Sequence, residues 1–254
     1  MELYELPSAM EPMIPTDQKG ILTERAVELI RKSAALSSLL HPITRGAVSQ
    51  IIKPMNSYYS NLIEGHNTHP IDIERAMNHD YSQDPGKRIL QLESKAHIEV
   101  QEKIEKIFKE DVTVHICSID FLCWIHKEFY AELPVDLRFV KTKEGKLSEV
   151  FPGELRTTEV EVGKHIGPAS KSLHLFLERF EHAYRPDKIT NATNRIIAAA
   201  ASHHRLAWIH PFLDGNGRVM RLFTHAYMMK EQLDGDGLWS ISRGLSKRQK
   251  EYTS

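Results

Sequence analysis

The chain has 254 residues, with 33 Lys plus Arg against 34 Asp plus Glu and a formal net charge of -1. Hydrophobic residues make up 41% and charged residues 26%, an ordinary globular balance that excludes collagen-like, disordered and disulfide-scaffold classes. Near-neutral charge argues against a strongly basic nucleic-acid binder, and no apolar run approaches the ~18 residues of a membrane helix. Cys117 and Cys123 stand six apart, on different faces of a helix, and are expected as unpaired thiols in a reducing compartment. The opening MELYELPSAMEP has no basic stretch and no apolar core, so no secretory signal is expected and the cytoplasm is the default location.

In chain order, residues 1–20 are proline-rich and polar and read as an extended lead-in. Thr23 predicts a cap for a helix over about 24–40, with Ala26, Leu29, Ile30, Leu36 and Leu40 near one face. Thr44 opens a second helical stretch that Pro54 is expected to break, leaving a separate short helix over about 55–63 with Gly65 as its stop. Pro70 opens another short helix over 71–78. Ile89, Leu92, Ala96, Val100, Ile104 and Ile107 predict a long amphipathic helix over about 87–109. Ser118 caps the next, to about 133, with Phe121, Leu122, Ile125 and Phe129 inward.

From Pro134 to Pro168 the helical period is lost. LRTTEVEVG alternates as a strand does, and a small β-hairpin is expected there. Helices resume over about 170–184, 191–208 and 215–230, and SISRGLSKRQKEYTS reads as the start of one more, as in a truncated chain or one lacking a further domain. The fold class is all-α with a hairpin. Three regions are expected: an N-terminal helical region over 1–84, a core over 85–241, and a C-terminal beginning over 242–254.

The chemistry concentrates in HPFLDGNGRVMR, His210 to Arg221. Gly215 and Gly217 permit a tight turn and close approach of backbone amides to a ligand. With Asn216 they open an apolar-periodic helix whose first N–H groups lack partners and carry the positive end of the dipole, a cradle for phosphate. Arg218 and Arg221, three apart, add two guanidinium forks suited to a polyphosphate. Asp214 at the lip suits Mg²⁺, which takes one or two carboxylates beside phosphates. His210, as a neutral imidazole, could take a proton from an attacking hydroxyl. Phe212 is expected as a buried anchor for the loop. His203 and His204 lack the i, i+4 spacing of helical zinc ligands and are expected as core or loop support, and Trp239 as a core aromatic.

This run resembles the signature of the Fic family, H-x-F-x-D/E-G-N-G-R-x-x-R, at all eight specified positions. The resemblance implies a Fic-type helical bundle with a hairpin flap and transfer of AMP from ATP to a protein Ser, Thr or Tyr hydroxyl. It implies His210 as base, Asp214 as Mg²⁺ ligand, Gly215, Asn216 and Gly217 as anion cradle, and Arg218 and Arg221 on the outer phosphates. SNLIEG, Ser60 to Gly65, resembles the family's inhibitory element, S/T-x-x-x-E-G/N, placed before the core. By that resemblance Glu64 pairs with Arg221 and keeps it from the γ-phosphate. The segment 151–163 is then the flap expected to receive a protein substrate, or the chain's own extended segment, by backbone pairing. Other outcomes on the same fold are removal of AMP, transfer of a phosphate or another nucleotide, or a nucleotide-gated interaction module. The N-terminal helices could form a homodimer seam, although no residue pattern marks one.

Overall fold

Caps and prolines divide the chain into helices. The structure, a computed structural model, describes residues 3–111, 113–141, 145–163 and 165–253. The N-terminal half holds α1 (Ile21–Ser38), α2 (Pro42–Ile63), α3 (Pro70–Met77), α4 (Pro85–Glu110) and α5 (Ile119–Ala131). Two antiparallel hairpins follow: β1 (Phe139–Lys141) with β2 (Leu147–Glu149), and β3 (Glu161–Val162) with β4 (His165–Ile166). The remaining helices are α6 (Leu173–Tyr184), α7 (Ala192–Ile209), α8 (Asn216–Lys230), α9 (Ile241–Lys247) and α10 (Gln249–Tyr252). Helices on one another with only short hairpins make the fold all-α.

Side-chain oxygens start several helices where the sequence places them. Ser118 accepts from Phe121 N–H at 3.1 Å, Asn191 from Asn194 N–H at 2.7 Å, and Asp84 from Lys87 N–H at 2.9 Å. The core gathers Phe121, Ile125 and Phe129 of α5, Phe176 and Phe180 of α6, and Leu222 and Phe223 of α8. α4 packs against α2, α3, α5 and α8, and so joins the N-terminal helices to this core. Cys117 and Cys123 are unpaired, and among the described residues no helix is long and apolar enough to cross a membrane.

Three expectations are corrected. Pro54 does not break the chain: α2 runs through it from Pro42 to Ile63. One face of α2 is buried by a polar seam on α4, where Lys53 pairs with Glu105 at 2.7 Å, Asn56 donates to Gln101 at 2.7 Å and Ser57 to the Ser94 carbonyl at 2.9 Å. Together with the packing, these outweigh a local proline cost of ~3 kcal/mol. The strand expected over 155–163 shrinks to β3, because the Arg156 N–H donates to Pro211 O at 2.9 Å instead of to a strand partner. The lead-in is docked, not loose: Pro7–Met10 form a 3-10 turn, Met10 and Met13 are buried, and the Tyr184 hydroxyl donates to Met13 O at 2.6 Å. Residues 1, 2 and 254 of the terminal expectations, and 142–144 and 164 of the hairpin stretch, lie outside the described residues.

Candidate active site

α7 ends at Ile209, and His210 turns into the left-handed region, φ 51° and ψ 61°. The next turn is closed from within. Asn216 Oδ1 accepts from Phe212 N–H at 2.9 Å, and its Nδ2 donates to Phe212 O at 2.8 Å. Phe212 is fully buried and lies face to face on His126, ring centroids 4.1 Å apart. Gly215 (φ 77°) precedes α8, and a Cβ there would stand 2.7 Å from the Tyr130 ring. Gly217 answers a different need: a Cβ on it would collide with the Glu64 carboxylate.

That carboxylate sits over the first turn of α8, where unpartnered N–H groups favour an anion. Arg221 is 2% exposed, and three of its contacts come from the end of α2. Its Nε donates to Ser60 Oγ at 2.8 Å, and one terminal nitrogen donates to Ser60 O at 3.1 Å and to Glu64 Oε1 at 2.5 Å. The residues of SNLIEG and those of the 210–221 run, far apart in sequence, thus meet in one place. Gly65 (φ 86°) ends the element as expected.

Arg218 is held differently. Its guanidinium donates to Glu93 at 2.9 Å, approaches Asp214 at 3.4 Å, and lies 4.8 Å from the Phe129 ring centroid. Glu93 also binds His66 Nδ1 at 2.5 Å. Arg221 stands against Gly217 at the start of α8, while Arg218 is held by Glu93 of α4. Burial pushes the Glu93 carboxyl up, but His66 and Arg218 outweigh it and hold it below the usual range.

His210 Nδ1 lies 3.3 Å from Ala207 O, which places the proton on Nδ1 and leaves Nε2 with its lone pair. Burial holds this imidazole below the ordinary histidine pKa. Arg156 pushes the same way, while the Ala207 carbonyl, Asp214 and Glu64 oppose it. Asp214 Oδ2 accepts from the Tyr130 hydroxyl at 2.6 Å. Burial raises the Asp214 carboxyl, and Arg218 and Tyr130 outweigh it, so it stays ionised. Its side chain is 43% exposed, with Oδ1 clear of those two partners. One such carboxylate fits Mg²⁺, which needs few protein ligands when phosphates supply the rest. Among the described residues no group of three or more His, Cys, Asp or Glu forms a metal cluster.

The 151–163 segment is tied to the turn at His210 and to α5. Gly153 N–H donates to His126 Nδ1 at 2.8 Å, and Arg156 Nε donates to His210 O at 2.8 Å. The other Arg156 nitrogens reach Pro168 O at 2.6 Å and Thr158 O at 2.9 Å. Glu93, His126, Tyr130 and Arg156 were not singled out from sequence. Glu93 alone left a signal, a carboxylate at an inward position of α4 beside Leu92 and Ala96.

The Fic/DOC family model matches residues 116–228. Protein adenylyltransferase Fic of Drosophila grimshawi is 38% identical over 86 residues, 34% of this chain and 18% of that protein. The Nematostella vectensis protein of the same name is 31% identical over 177 residues, 68% of this chain and 36% of that protein. The chain therefore spans between about a fifth and about a third of the length of these relatives. A crystal structure of a Fic family protein from Desulfovibrio desulfuricans superposes with a TM-score of 0.64 at 18% identity, covering 98% of this chain and 67% of that one. The matched segment holds the whole 210–221 signature, and over residues 116–228 this chain carries a Fic/DOC family domain.

Proposed function

We propose that this chain is an autoinhibited protein adenylyltransferase, moving AMP from ATP to a Ser, Thr or Tyr hydroxyl of a protein. The observation that carries the reading is the Glu64 carboxylate seated on Arg221 over Gly217, beside His210. A carboxylate held at a helix N-terminus by a buried arginine marks a place built for an anionic group. The curated relatives carry the activity in their names, which supports AMP as the group moved.

In the proposed reaction His210 Nε2 accepts the proton of the attacking hydroxyl as its oxygen bonds the α-phosphorus. The bond from that phosphorus to the bridging oxygen breaks, and pyrophosphate leaves. Arg221 and the amides at the start of α8 hold the triphosphate in line for this attack. Asp214 would hold Mg²⁺, which when bound neutralises phosphate charge. The extended segment 151–163 is the proposed dock for the protein substrate, with Glu161 and Val162 exposed on its outer strand.

While Glu64 occupies Arg221, the arginine cannot hold the γ-phosphate, and ATP cannot settle for attack. Glu64→Gly protein incubated with ATP labelled at the α-phosphate, Mg²⁺ and lysate tests this. Label on protein should rise at least about tenfold over wild type, the worth of one charge-assisted contact, and disappear with His210→Ala. No rise removes the inhibitory assignment, and label arriving only from the γ-phosphate makes the reaction phosphate transfer.

A further inference from the structure

The C-terminal stretch lies outside the 210–221 signature, yet it bonds the residue directly before Glu64 and packs along α2. Gln249, the first residue of α10, donates from Nε2 to Ile63 O at 3.1 Å. Ile63 is the last helical residue of α2, directly before Glu64, and its carbonyl is one that the helix itself cannot satisfy. α9 packs along α2, and Ser240 at its cap donates to Asn56 Oδ1 at 2.7 Å.

Tyr252, at the other end of α10, joins a hydrogen-bond chain whose proton order can be worked out. The Thr224 hydroxyl donates to Met220 O at 2.8 Å, so its oxygen must accept from His203 Nδ1 at 2.6 Å. Burial lowers the His203 pKa to about 3, so the ring is neutral. With the proton on Nδ1, Nε2 accepts, and the Tyr252 hydroxyl at 3.0 Å donates to it. Arg221 lies close enough to pull the phenol pKa down, while burial holds it up. The hydrogen-bond chain runs from Tyr252 through His203 and Thr224 to the backbone of α8.

We propose that α10 is a latch on the inhibitory pair: Gln249 holds the end of the helix bearing Glu64, while Tyr252 anchors α10 beside the arginine that Glu64 engages. This rests on the inhibitory reading of Glu64. Freeing α10 leaves the Ile63 carbonyl to water and lets the end of α2 open, and the Glu64–Arg221 contact opens with it. The latch deepens inhibition without touching the reacting atoms.

The test uses the full chain with Gln249→Ala and Tyr252→Phe, each alone and each combined with Glu64→Gly. Two quantities are read: label transferred from α-labelled ATP with Mg²⁺, and amide exchange over residues 62–66. Each single variant should raise transfer about two- to tenfold, the worth of one hydrogen bond, and speed exchange at the end of α2. Neither should add to the activity of Glu64→Gly, because nothing is left to release. If both singles stay at the wild-type level while Glu64→Gly rises, the latch is wrong and the inhibitory reading stands. Equal gains in both backgrounds, or a fall for Tyr252→Phe in the Glu64→Gly background, also overturn it, the latter by making Tyr252 part of the phosphate site. If Glu64→Gly itself gives no rise, the inhibitory reading falls and the latch falls with it.

Discussion

His210 holds a backbone conformation that costs a non-glycine residue on the order of 1–2 kcal/mol. Its surroundings determine that it stays there. Leu206 O accepts its N–H at 3.1 Å, and Arg156 grips its carbonyl. Gly167 lacks the Cβ that would stand 2.9 Å from the Arg156 guanidinium. This setting also fixes protonation. The imidazole is buried beside a cation, so its neutral form persists to lower pH than in a free histidine. A base with a depressed pKa works above that pKa and fails as pH falls through it. Assayed in Glu64→Gly protein, the acid limb of kcat/KM should therefore have its midpoint below the ordinary 6.5. Removing the Glu64 carboxylate, which raises the imidazole's pKa, moves the midpoint further down. A midpoint at or above 6.5 contradicts His210 as a buried base.

At the scale of elements, α2 leads into Glu64, the proposed inhibitory carboxylate, and its unbroken passage through Pro54 makes it one helix from Pro42 to Ile63. Proline removes the bond to the carbonyl four residues earlier and crowds that turn. Pro54→Ala should restore both and raise stability by about 1 kcal/mol, less than the full helical penalty because the half-buried ring loses packing. A urea midpoint moved upward at unchanged slope would show it; a lower midpoint would mean that packing of the proline ring outweighs the restored hydrogen bond. What was readable in sequence divides along the same line. Helix starts at Ser118 and Asn191, the Gly65 stop and the 210–221 run were legible, because a cap, a left-handed glycine and a contiguous signature are local. Pro54 misled because burial of Lys53, Asn56 and Ser57 against α4 is decided by residues some forty to fifty positions away. The site followed the same rule. Its contiguous half was visible, whereas Glu93, Tyr130, His126 and Arg156 arrive from other elements with no spacing to announce them.

Across the whole molecule, the N-terminal helices and the Fic/DOC domain are joined by charged contacts that pass through α4. The chain of partners runs from His66, just past α2, to Glu93 on α4 and then to Arg218 on α8. Glu93 raises the His66 pKa by accepting its hydrogen bond, against the opposing effect of burial. A group whose folded pKa is raised stabilises the fold fully below its unfolded value, here 6.5, and loses that contribution as pH climbs through the folded value. The Glu93 carboxyl works in the other direction: held below 4.5, it contributes above that value and fails only on strong acidification. Both are in force between these limits. Thermal unfolding of wild type and His66→Gln should accordingly differ most near pH 6, by about 1–3 °C given the half-exposed ring, and converge by about pH 9. A difference that stays constant from pH 6 to 9 would mean that His66 acts by shape alone, and that charge does not join the end of α2 to the arginine of the catalytic turn.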